Sequence, residues 1–210
     1  MREITASNLI TQAFNLSLAR QNSVFEAWVQ ASHKLSFGSP WLALIIQDCG
    51  KIDILLRQME EESATTEVSA EIFSLDPRKI LSEAWTGKLY AALRLICKEP
   101  DLKKHFAALF KATTLVRVPL EKLQIADDRR LKGKEELRLY RSDDPSEEPI
   151  PYNLSQRPQI SPQIFLDRAT GSIAWDTFNV AVDPPEMRRI SRIELSDGFL
   201  KTYRAATCAM

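Results

Sequence analysis

The side chains of this 210-residue chain that could do chemistry are two histidines, three cysteines and two groups of basic residues. Neither His33 nor His105 belongs to a His-Glu-x-x-His, His-x-His or clustered-carboxylate pattern, so no metal site is expected. His33 falls near the end of a predicted helix, where an imidazolium meets the C-terminal dipole favourably, and His105 lies between Leu102 and Phe106 of another. Structural or surface roles follow for both. Cys49, Cys97 and Cys208 are odd in number, widely spaced and form no Cys-x-x-Cys pair. That pattern argues against a disulfide framework and a structural zinc site. Cys49 and Cys97 lie on or beside apolar stripes, as buried thiols of a reducing compartment do. Gly-x-Gly-x-x-Gly, Gly-x-x-x-x-Gly-Lys and Gly-x-Ser-x-Gly do not occur. Dinucleotide, P-loop and serine-hydrolase chemistry therefore have no support, and no cofactor is expected.

The basic residues point elsewhere. Asp127-Asp128-Arg129-Arg130-Leu131-Lys132-Gly133-Lys134 continues to Arg138 and Arg141, with six bases against four acids over residues 127–141. Arg188, Arg189 and Arg192 form a second group. Together Arg129, Arg130, Lys132, Lys134, Arg138, Arg188, Arg189 and Arg192 could make one basic face for a nucleic-acid backbone. Against that, acids interleave the first group, as on a solvated, salt-bridged segment. Aromatics for base stacking are few: Tyr140, Tyr152 and Trp175. Trp28, Trp41, Trp85 and Trp175 all fall where burial is expected, and Trp41 is placed to plug the end of a bundle.

These residues need elements to hold them. The charges balance at 28 Lys+Arg and 28 Asp+Glu, which removes any global pull towards nucleic acid or anionic membrane. The longest apolar run, residues 41–46, is far too short to cross a membrane, and the N-terminus lacks a secretory leader's apolar core. A cytoplasmic protein without membrane partners is expected. Residues 1–141 read as an antiparallel bundle of four to six amphipathic helices. The first helix covers residues 8–19. A Ser23–Glu26 capping box opens the second, and the first two helices could be one bent helix. Ser39-Pro40 opens the third, with Trp41, Leu44, Ile45, Asp48, Ile52, Leu55, Leu56 and Met59 as its stripe and Gly50 as its weak point. Residues 60–69 lose the stripe and read as a loop. Asp76-Pro77 opens the next helix and Pro100-Asp101 the one after. Pro119 kinks or ends that helix, and a further helical piece spans residues 120–131. Residues 142–162 hold five of the eleven prolines and four acids, and read as a connector. Residues 163–210 form a hairpin with a bulge near Thr177, a third strand over residues 189–195 and a short terminal helix capped by Ser196-Asp197. The fold class is thus mainly α (α+β), a helical bundle with a small β appendage.

The helix count resembles that of the HEPN ribonucleases and their inactive relatives, whose signature is Arg, four to six residues, then His. Arg117 is followed by Val118-Pro119-Leu120-Glu121-Lys122-Leu123-Gln124, without the His. Arg94 and His105, like Arg20 and His33, stand too far apart, so no motif carries over. A chain of that type without the His implies binding, or an antitoxin-like role, in place of cleavage. The residues favour an interaction or regulatory protein that forms homo-oligomers or binds a protein partner through open hairpin edges. Nucleic-acid binding stands second, and an enzyme with a site assembled from scattered residues, such as His105 with a distant carboxylate, third.

Overall fold

A computed structural model describes residues 5–64, 77–132, 137–139, 148–152, 154–155 and 159–208. The chain is mainly α with a small antiparallel sheet near its end. The helices are α1 (Ala6–Arg20), α2 (Asn22–Leu35), α3 (Pro40–Ala64), α4 (Pro77–Ile96), α5 (Pro100–Lys122) and α6 (Arg192–Cys208). A 3-10 turn, Asp128–Leu131, follows α5. Strands β1 (Arg138–Leu139) and β2 (Ile150–Pro151) pair alone, and β3 (Gln163–Leu166), β4 (Ile173–Asn179) and β5 (Glu186–Ser191) form a sheet in that order.

Local chemistry explains most boundaries. Thr5 caps α1 by accepting from the Asn8 amide, and the helix breaks at Gln21, so α1 and α2 are two helices. Glu26 does not close a capping box on Ser23. It accepts from the Asn22 side chain, and α2 starts without a side-chain cap. Ser39 caps α3 through the Leu42 amide, as its sequence indicates. That helix runs to Ala64, through the first part of the segment expected to be a loop. The apolar stripe fades there because Glu60 is buried as one half of an ion pair. Asp76 lies outside the described residues, and Pro77 is the first residue of α4. Pro119 sits inside the last turn of α5, which ends at Lys122 with Leu123 left-handed at φ 51°. The helix expected over residues 120–131 is only that turn and the 3-10 turn.

Both ladders keep one register throughout, so there is no bulge at Thr177. Ile173, Trp175, Thr177 and Asn179 are buried on one face, and Phe178 is half-buried on the other. Two separate cores, one per face, produce the parity change. The third strand ends at Ser191 and the terminal helix starts at Arg192, four residues ahead of Ser196. The cap is a reciprocal box: Ser191 Oγ accepts from the Glu194 amide, and a Glu194 carboxylate oxygen accepts from the Ser191 amide.

One core holds the bundle and the sheet together. Trp28 stacks on Phe199 at 4.6 Å and meets Trp85 edge-on at 6.5 Å, while Phe106 tilts against Phe199. Ile173, Trp175 and Ile190 join the same cluster, so the hairpin packs in cis on the helices. Two glycines permit close approach. A Cβ on Gly50 would lie 2.6 Å from Trp28 Cβ, so α2 and α3 touch there. Gly171 turns at φ +67° from β3 to β4, and a Cβ on it would collide with the Glu60 carbonyl oxygen. A second, smaller core of Ile125, Leu131, Tyr152 and Val180 ties the 3-10 turn to the end of β4.

Candidate interaction surfaces

The basic residues divide. Arg129, Arg130, Lys132, Arg138 and Arg188 are exposed, and none has a carboxylate partner among the described residues. Lys134 lies outside the described residues. Asp128, an acid expected to offset the first group, is buried and accepts from the Tyr152 hydroxyl at 3.1 Å. The small core places this turn near the end of β4, whose neighbour β5 carries Arg188 opposite Thr177. Arg189 follows on the opposite strand face, where it grips Asp176 with both Nε and Nη2 and covers the Phe165 ring at 4.1 Å. Arg192 does not join a basic face at all, because it is fully buried.

Arg192 instead centres a buried charge cluster that the sequence reading missed. Asp53, Arg57 and Glu60 stand at i, i+4 and i+7 on α3 and so share one helix face. Arg192, at the start of α6, donates to Asp53 Oδ1 through Nη1 and to both Glu60 oxygens. Arg57 Nε donates to Asp53 Oδ2 at 3.0 Å, and its Nη2 reaches Ser196 Oγ and Asp197. Trp28 Nε1 also donates to Asp53 Oδ2, at 2.9 Å. Burial alone would raise the Asp53 pKa. The Arg192 and Arg57 guanidinium groups outweigh it and hold the carboxyl below its usual value. Arg57 is held above its usual value by the same carboxylates, against its own desolvation. Every charge in the cluster has an opposite partner. Its work is to fasten the sheet and α6 to α3. A run of i, i+4, i+7 charges inside an apolar helix was the available signal.

The other expected reactive residues are dispersed. His33 is exposed on α2 and His105 half-buried on α5. Cys49 is buried, and desolvation pushes its thiol far above the ordinary range. Among the described residues, no group of three or more His, Cys, Asp or Glu side chains could hold a metal ion. No helix among them is long and apolar enough to cross a membrane.

What the surface does display is apolar. Trp41 is 75% exposed, so it plugs nothing, and Leu44 beside it and Phe37 before it are also exposed. The buried stripe of α3 runs through Leu42, Ile46, Cys49, Asp53 and Leu56, one position round from the predicted stripe, which turns Trp41 outward. Phe37 occupies the left-handed region at φ 48°. The larger display is α1. Its buried centre is Ser17, flanked by half-buried Ala13 and Phe14. Its apolar arc is much wider than that contact. Leu9 is 54%, Ile10 58% and Leu16 43% exposed. Leu9 and Leu16 are seven residues apart and lie on one line, with the exposed, uncharged Gln12 between them. Over its 15 residues α1 carries one charged side chain, Arg20.

No protein-family model, curated protein or solved structure matches this chain.

Proposed function

We propose that the chain is a non-catalytic interaction protein that associates with a second copy of itself through the outer face of α1. The observation that carries this is the exposed line of Leu9 and Leu16 on a helix with a single charge. Apolar side chains left in water at helical spacing mark a contact surface. An uncharged face meets its own copy without like-charge repulsion, which suits a two-fold contact in which the same patch serves both subunits. The helix is about 22 Å long, so the area it can cover falls at the small end of specific interfaces. The expected dimer is therefore reversible, with a dissociation constant on the order of micromolar. Light scattering across a concentration series tests this. The mass should rise towards twice the monomer's in the native chain and stay at one monomer in Leu9→Glu/Leu16→Glu with its helix content kept. A native chain that stays monomeric at ~100 μM, well above a micromolar dissociation constant, overturns the proposal.

A second reading rests on the burial of Asp128, which leaves three exposed bases, Arg129, Arg130 and Lys132, beside one exposed acid, Asp127. That patch suits a phosphate backbone. Salt-sensitive binding of RNA or DNA, lost in Arg129→Ala/Arg130→Ala/Lys132→Ala, would support it. Binding unchanged by that triple substitution would count against it.

A further inference from the structure

We infer that the corner formed by Phe37, Trp41 and Leu44 docks on an anionic lipid surface. Beside the 75% exposure of Trp41, Phe37 and Leu44 are each 50% exposed. Trp41 and Leu44 stand three residues apart on the outer side of α3. Phe37 belongs to the short connection that leads into that helix. Phe37 and Gly38 are both left-handed there, and a Cβ on Gly38 would meet nothing within 4 Å. The corner therefore projects into solvent. A protein partner would need a recess to receive it, whereas lipid closes around a projecting side chain. An indole, with an apolar ring and one N–H donor, suits the boundary between headgroups and acyl chains.

The helix ends around the corner are basic. The Cys49 carbonyl accepts from Trp85 and Asp48 pairs with Lys88, so α3 and α4 run antiparallel. Trp41 lies seven residues before Asp48, and Leu95 lies seven after Lys88. That sets Trp41 level with the last turn of α4, which carries Arg94 and leads to Lys98. The connection into α5 is at this same end. Over residues 33–44 and 91–104, Lys34, Arg94, Lys98, Lys103 and Lys104 are exposed, and none has a carboxylate partner among the described residues. Glu99 and Asp101 are the acids of those two segments, which leaves an excess of three positive charges with His33 neutral.

Neighbouring groups do not cancel this excess. Asp48 is held by Lys88 and Lys51, α1 carries no acid, and Asp197 of α6 pairs with Arg57. The C-terminal ends of α2 and α4 lie beside the N-terminal ends of α3 and α5, so the helix dipoles offset one another. A second copy would present the same cations and be repelled, while anionic headgroups are attracted. The chain's balanced total charge is no obstacle, because salt confines such attraction to roughly 8 Å. The corner uses no residue of α1, so the inference does not rest on contact between copies.

The test sediments the full chain with vesicles of phosphatidylcholine, alone or with about 30% phosphatidylserine, and follows tryptophan emission. The chain should pellet with the anionic vesicles, and its emission should move to the blue as Trp41 leaves water. Trp41→Ser/Leu44→Ser should keep the native circular dichroism and bind about tenfold more weakly or worse. Lys34→Ala/Lys98→Ala should weaken binding about 30-fold, at about fivefold per cation. Leu9→Glu/Leu16→Glu should keep the emission shift, which separates this surface from α1. No pelleting with anionic vesicles, equal pelleting with phosphatidylcholine alone, or binding that survives Trp41→Ser/Leu44→Ser overturns the inference. A shift produced by poly-glutamate and not by vesicles overturns it too, and assigns the corner to an acidic protein partner.

Discussion

Arg192 shows how one side chain can close a fold. It comes from the strand-to-helix junction near the end of the chain and meets Asp53 and Glu60, 139 and 132 residues earlier. Removing it strands the buried Glu60 carboxylate and leaves Asp53 with Arg57 as its one remaining guanidinium partner. Arg192→Met should therefore lose about 3–5 kcal/mol in urea unfolding, far more than removal of the exposed Arg188. Asp53 makes the same point through pH. Its folded pKa lies below the unfolded value of about 3.9, so its contribution is complete above that value and fades as pH falls through the lower folded one. The urea midpoint should drop from pH 7 to pH 3, and by less in Asp53→Asn, whose side chain does not titrate. Trp41 offers an optical check, because Trp28, Trp85 and Trp175 are buried. Iodide should quench one emission component in the native chain and almost none in Trp41→Phe. At this scale the sequence was least legible. Residue type announced Arg192 as a surface cation, and only its partners across the fold explain why it is inside.

Elements were more legible, because periodicity and caps are local. The long helices, the three-stranded sheet and the Ser39 cap all follow from spacing and residue type. The failures share a cause: a neighbour distant in sequence. The end of α3 keeps its helix without apolar residues because Arg192 neutralises Glu60. A bulge was expected near Thr177 because the two faces of β4 serve different cores. Gly50 read as a weak point costing roughly 1 kcal/mol against Ala. Contact with Trp28 reverses that expectation. Gly50→Ala should lower the melting temperature despite better helix propensity, since its methyl group would fall 2.6 Å from Trp28 Cβ. An unchanged or higher melting temperature would show that α2 and α3 can part without cost. The Ser191–Glu194 box was visible in the sequence as Ser-x-x-Glu, but the alternation of residues 189–195 masked it.

The whole molecule is a bundle whose C-terminal sheet is sewn into its core, with α1 as its least buried helix. The hairpin packs one apolar face on the helices, β3 and β5 remain its edge strands, and exposed apolar surface collects on α1 and at the Phe37–Trp41 corner. Sequence patterning marked the apolar residues of α1 but not which of them would find neighbours, since that depends on how little of the helix α3 covers. A two-fold contact along Leu9 and Leu16 brings Gln12, midway between them, close to Gln12 of the second copy. The most direct measurement is therefore oxidation of Gln12→Cys in a Cys208→Ser background at micromolar concentration. A covalent dimer should form there, where Cα atoms can come within about 7 Å, and should not form from Lys34→Cys on α2. If both cysteines cross-link equally slowly, or neither does, α1 is not the contact between copies.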